Sequence, residues 1–111
     1  MPTFDQFDVV SVPFPYTDRP VRQRRPALVV SAPAHEQATG LVWVVMITAA
    51  ENRPWPGDVQ LAEAHRAGLS IPSVVRPTKI ATIEAVQASR IGSIAPPEQR
   101  AVRQAISEIL R

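Results

Sequence analysis

The chain has 111 residues, 45% of them apolar and 20% charged, with a formal net charge of +2; that describes one folded domain over residues 1–111, too small for two cores and with a composition ordinary for a folded chain rather than a disordered one. There is no cysteine, which removes disulfides, thiolate zinc sites and cysteine nucleophiles together and accords with a reducing compartment. Residues 1–5 show no basic segment followed by an apolar one, and the longest apolar run, residues 41–50, is far short of the roughly 20 residues a bilayer crossing takes, so a soluble cytoplasmic chain without membrane association is expected.

Residues 7–14 (FDVVSVPF) read as a first strand, because Val9, Val10 and Val12 suit a pleated surface and Pro13 ends ladder pairing or marks an edge. Residues 16–20 follow as a loop. Residues 26–31 and 41–48 are short, continuous apolar runs rich in β-branched side chains, the pattern of strands buried on both faces, and residues 32–40 turn the chain between them. Residues 51–57 (ENRPWPG) carry two prolines and a glycine and predict a long loop presenting Trp55. Residues 58–61 and 73–75 are short strand candidates joined through His65, Arg66 and Gly68, and residues 90–94 are one more. Pro96, Pro97 and Glu98 then open a helix whose Val102, Ile106, Ile109 and Leu110 recur at helical spacing. Short strands closed by one helix predict a mainly β fold, a small β-barrel with a C-terminal helix packed on it.

The basic residues are almost all arginine, Lys79 being the only lysine. Arginine suits forked contacts to phosphate and stacking on bases, which favours nucleic acid as partner; the same bias also follows from genomic base composition. The charge is concentrated: Arg19, Arg22, Arg24 and Arg25 against Asp18 leave a net +3 over residues 18–25. Pro26 fixes its own φ and pushes Arg25 into an extended conformation, so that the guanidinium leaves the chain in a constrained direction at the mouth of an apolar strand. Arg25 is equally readable as a strand-edge arginine, solvated or paired with an acid. Thr48, at the end of its strand, is on periodicity alone an ordinary strand threonine, and Trp55 is readable as a cap on the core.

The commoner catalytic signatures are missing. His35 and His65 lie far apart, without the pairing or nearby carboxylates of a metal site. There is no G-x-S-x-G elbow, P-loop or dinucleotide fingerprint, so neither metal nor cofactor is expected. Arginine, threonine and serine remain, and they suit attack of an RNA 2′-hydroxyl on the adjacent phosphate, where the substrate brings its own nucleophile. Such a site must align the reacting groups and stabilise charge on the phosphate oxygens. Arg25 supplies forked hydrogen bonds and Thr48 a hydroxyl. Arginine stays protonated at neutral pH, so its role is electrostatic rather than that of a base.

In order and spacing, Phe7-Asp8-Val9-Val10-Ser11-Val12-Pro13-Phe14-Pro15, Arg24-Arg25-Pro26-Ala27-Leu28-Val29-Val30, Ile47-Thr48, Ser73-Val74-Val75-Arg76-Pro77 and Arg90-Ile91-Gly92 resemble the MazF/PemK family of toxin endoribonucleases. The resemblance implies an SH3-like small β-barrel with a C-terminal helix, a homodimer and metal-independent, sequence-selective cleavage of single-stranded RNA to a 2′,3′-cyclic phosphate. It also implies inhibition by a cognate antitoxin whose tail occupies the RNA groove. By position the catalytic arginine falls on Arg25 and the catalytic threonine on Thr48. RNA contacts are expected from Phe14, Tyr16, Arg22, Arg24, Trp55, Arg76 and Thr78, the aromatic rings by stacking on bases.

Two positions depart from the family pattern. Many relatives have glycine where this chain has Phe7, and many in the PemK branch have aspartate where it has Thr78, which bears on any mechanism using that carboxylate as base. Two further readings share the fold: a noncatalytic inhibitor that binds a protein such as DNA gyrase through its C-terminal helix, and an RNA-binding module that has lost activity.

Overall fold

In the computed structural model, residues 3–14 and 23–111 are described. Six strands, β1 (Asp8–Val12), β2 (Arg25–Val29), β3 (Leu41–Ala49), β4 (Val59–Gln60), β5 (Ser73–Glu84) and β6 (Ser89–Ser93), form one antiparallel sheet in the order β4-β5-β3-β2-β1-β6. Helix α1 (Pro33–Thr39) joins β2 to β3, and helix α2 (Pro96–Leu110) closes the chain. No helix among the described residues is long and apolar enough to cross a membrane.

The continuous apolar runs follow from burial on both faces of the central strands. Val9, Leu28, Val45, Ile47 and Val75 join a cluster that α2 covers with Val102 and Ile106. Their strand neighbours Val10, Ala27, Val29, Val42 and Val44 join a second cluster with Phe4, Phe14, Ile83 and Ala85. Adjacent residues point to opposite faces of a sheet, so where a strand lies between two cores its residues read as a continuous apolar run. The sheet is a half-barrel. The gap between its edge strands is spanned by residues 62–70, where the Ser93 amide donates to the Arg66 carbonyl at 3.3 Å, and by α2, whose Glu98 carboxylate accepts from the Ala62 amide at 2.6 Å.

Gly92 explains how that crossing closes. A Cβ there would stand 2.3 Å from the Ala67 carbonyl carbon and 2.7 Å from the Arg66 carbonyl oxygen, both main-chain atoms that move only with the whole segment. Gly68, at φ 78°, meets the Ile91 carbonyl from the other side. Replacing Gly92 with alanine is therefore expected to cost about 1–3 kcal/mol by overpacking, read as a lowered Tm in a thermal melt. An unchanged Tm would contradict the close approach.

Three expectations shift against the structure. Residues 32–40 are more than a turn: Pro33 starts α1, and Gly40 ends it at φ 73° with its amide on the Glu36 carbonyl at 2.7 Å. A helix of 7 residues is too short for its periodicity to stand out from a turn. The short strand candidate at 73–75 is the start of β5, which runs 12 residues. Its continuation is masked in sequence by Pro77, Thr78 and Lys79, which the β3 register skips between Met46 opposite Arg76 and Val45 opposite Ile80. Finally, Phe7, expected as the first residue of the first strand, lies just before β1. It takes φ 75°, the left-handed region that glycine adopts freely. The ring offsets a strain of about 1–2 kcal/mol by burying itself in the α2-side cluster, with the Arg103 guanidinium 5.0 Å from its centroid.

Candidate active site

Arg25 is the first residue of β2 and Thr48 lies one residue from the end of β3. Ala27 pairs with Met46, Leu28 with Val45 and Val29 with Val44. Carried two residues beyond Ala27, that register sets Arg25 across from Thr48. Both line one cleft of about 740 Å³.

The cleft has two kinds of wall. Arg24, Arg25, Asn52, Arg53 and Arg76 make it cationic and polar, while Leu69, Ile71, Ile91 and Trp55 give it an apolar side. Ile71, Ile91 and Trp55 are among the exposed large apolar residues of the chain. A groove that pairs guanidiniums with apolar and aromatic surface suits a ligand with both charge and flat rings. Among the described residues, no three His, Asp or Glu side chains gather as a metal site would require.

Several of the predicted site residues have defined partners. The Arg24 side chain donates to the Ser11 hydroxyl at 3.1 Å, to the Ser11 carbonyl, and to the Gln87 carbonyl at 2.8 Å. It therefore ties the strand entrance to β1 while lining the cleft. The Thr48 hydroxyl accepts from the Asn52 amide at 2.7 Å. Trp55 is partly exposed, with the Arg76 guanidinium 4.7 Å and the Lys79 ammonium 5.2 Å from its ring.

Arg76 borders the cleft, but its side chain is only 7% exposed. It donates to both Asp58 carboxylate oxygens at 3.0 Å and to the Arg53 carbonyl at 2.9 Å. This closed fork fastens the loop carrying Trp55 onto β5. The residue expected to contact RNA is thus also a clamp at the border of the cleft. Partial burial by itself would raise the Asp58 carboxyl, but the Arg76 hydrogen bonds, the Trp55 amide and the Arg76 charge outweigh it and hold the group below its ordinary value.

The expectation for Phe14 needs correction. Its ring is 4% exposed and packed in the second core cluster, where it has no face to offer a base. Thr78 is exposed at the β5 irregularity and does not line the cleft. Tyr16 and Arg22 lie outside the described residues. Asn52, Arg53 and Asp58 were not singled out from sequence; their signal was membership of the Pro- and Trp-bearing loop or its edge.

A family profile described as PemK-like, MazF-like toxin of type II toxin-antitoxin system matches residues 5–110. The chain belongs to this PemK/MazF toxin family. Among solved structures it is similar to MazF from Deinococcus radiodurans, with 24% identity, a TM-score of 0.81 and coverage of 99% of this chain and 98% of that one. A MazE-MazF complex from the same organism gives 24% identity and a TM-score of 0.78, covering 99% and 97% of the two chains. An endoribonuclease in complex with its cognate antitoxin, from a mycobacterial species, gives 19% identity and a TM-score of 0.76, covering 99% and 95%. No curated protein matches the sequence. The expected small barrel with a C-terminal helix is thus the MazF toxin fold.

Proposed function

We propose that this PemK/MazF toxin is an endoribonuclease that cleaves single-stranded RNA by 2′-hydroxyl attack, without a metal ion and with selectivity for sequence. The observation that carries the reading is the convergence of Arg25 and Thr48 on one cationic cleft through the β2–β3 register. The 2′-oxygen bonds to phosphorus as the bond to the 5′-oxygen breaks; the 2′-hydroxyl proton leaves to water, and the departing oxygen takes one up from water. Arg25 binds the phosphate oxygens by a forked contact that strengthens as they gain charge, and Thr48 adds a hydroxyl hydrogen bond. Trp55 stacks on a base beside the scissile linkage, and the apolar wall holds a neighbouring one. Sequence selectivity arises from which bases these surfaces accept.

The test is incubation of the purified chain with single-stranded RNA in the presence of chelator. Fragments ending in 2′,3′-cyclic phosphate support the reading. Intact RNA together with inhibited DNA supercoiling would favour the noncatalytic alternative.

The same proposal includes a cytoplasmic homodimer and a cognate antitoxin that occupies the cleft, in keeping with the complexes of similar toxins. An antitoxin segment pairing acidic with apolar residues would match the cleft's two walls. Light scattering at micromolar concentration is expected to give the mass of two chains, and a monomer mass would overturn the dimer.

A further inference from the structure

Asn52 lies in the loop after β3, where its main-chain N–H donates to the Ala49 carbonyl at 3.1 Å and closes a turn. From that fixed point its side-chain amide donates to the Thr48 hydroxyl oxygen at 2.7 Å. Ala50 is also fixed, its amide donating to the Pro72 carbonyl at 2.9 Å, so the turn is held against the start of β5. A threonine hydroxyl has one proton to give and two lone pairs to accept with, whereas an amide NH₂ group only gives. With one lone pair occupied by Asn52, the hydroxyl proton has no acceptor in that direction and is left for an acceptor elsewhere. The cleft lined by Thr48, Asn52 and Arg25 is where a phosphate would provide one.

We propose that Asn52 is a positioning residue that fixes Thr48 as a hydrogen-bond donor toward the scissile phosphate. The inference rests on the nuclease reading above. The relay runs one way, from the Asn52 amide through the Thr48 hydroxyl to a phosphate oxygen, and each hydrogen bond polarises the next. Because the hydroxyl is already oriented before RNA arrives, the donor need not reorganise as charge develops on the phosphate. Thr48 touches the substrate, and Asn52 acts only through it.

Steady-state cleavage of a single-stranded RNA oligonucleotide by the full chain tests this. Asn52→Ala is expected to lower kcat about tenfold, the worth of one oriented hydrogen bond, with KM within about twofold. Asn52→Asp reverses the polarity, because a carboxylate accepts the Thr48 proton and turns it from the phosphate. That variant is expected to lose about 100-fold in kcat at neutral pH and to recover as pH falls toward the carboxyl range, where the protonated acid again donates. In a Thr48→Val background, Asn52→Ala should cause no further loss. In the folded protein, Thr48→Val should also move the Asn52 side-chain amide resonance.

Losses that multiply in the double variant, or full turnover by Asn52→Asp at neutral pH, would overturn the assignment while leaving the nuclease reading intact. An unmoved amide resonance would overturn the contact even if variants cleave poorly through misfolding. Intact RNA with the unaltered chain would overturn the nuclease reading and the positioning role together.

Discussion

Replacing Arg25 with alanine is expected to reduce kcat for RNA cleavage by about 100- to 1000-fold, the loss typical of removing one preorganised transition-state donor, or about 3–4 kcal/mol. Arg25→Lys keeps the charge but not the planar fork and is expected to retain only part of the activity. The effect should fall mainly on kcat, since the phosphate oxygens gain charge in the transition state and the forked contact strengthens there. Circular dichroism melts of each variant separate chemistry from folding. An Arg25→Ala chain that cleaves at the unaltered rate would remove the electrostatic role assigned to this side chain.

Arg76→Ala is expected to have the largest effect on stability. It leaves the Asp58 carboxylate, whose side chain is only 12% exposed, without its ion-pair partner. Breaking such a pair from one side costs about 3–5 kcal/mol, because the remaining charge is largely desolvated and is left with the Trp55 amide. For a domain of this size, the loss corresponds to a fall in Tm of roughly 10 °C or more. Removing both partners, as Arg76→Leu with Asp58→Leu, should recover much of the stability. If the single and double variants melt alike, the pair is not what holds the loop.

The same pair gives the acid limb of the stability curve. Asp58 titrates below its ordinary value of 3.8, so the folded state prefers the ionised form. Its contribution is fully present above that value and is lost as pH falls through the lower folded-state value. The Tm of the unaltered chain should therefore drop more steeply below about pH 3.8 than that of Asp58→Asn. Cleavage should also weaken in Arg76→Ala, because Trp55 is seated against the guanidinium and the loop is tied to it through the Arg53 carbonyl.

Much of the fold was legible because strand burial writes itself into composition. The runs around Val29 and Val45 read as strands buried on both sides, and two core clusters account for them. The closing helix was equally plain, since Pro96 and Glu98 open it and its apolar residues recur at helical spacing. The β5 continuation was not, because Pro77, Thr78 and Lys79 look like a loop and strand membership there depends on an irregular register with β3. The carboxylate beside Arg76 comes from Asp58, 18 residues earlier in the chain.

Phe14 shows how residue type misleads about role. An aromatic ring near a basic loop suggests base stacking, but Phe14 is packed into the second core cluster. Arg76, expected to contact RNA, borders the cleft and is at the same time held in a clamp by Asp58. Neither arrangement follows from local propensity; each depends on neighbours that the fold brings to the side chain.

The amino-acid sequence by itself determined that this is a mainly β toxin-family domain with a closing helix, and that Arg25 and Thr48 were the residues to watch. Periodicity, proline placement and apolar runs are local properties, and they suffice for the buried central strands and the closing helix. Only the tertiary structure decided that Arg25 and Thr48 share a cleft, that Asn52 holds the threonine hydroxyl and that Asp58 closes Arg76 into a clamp. The shared cleft and the clamp rest on strand register and on contacts between residues distant in the chain, and the Asn52 contact rests on the turn after β3, none of which apolar periodicity encodes.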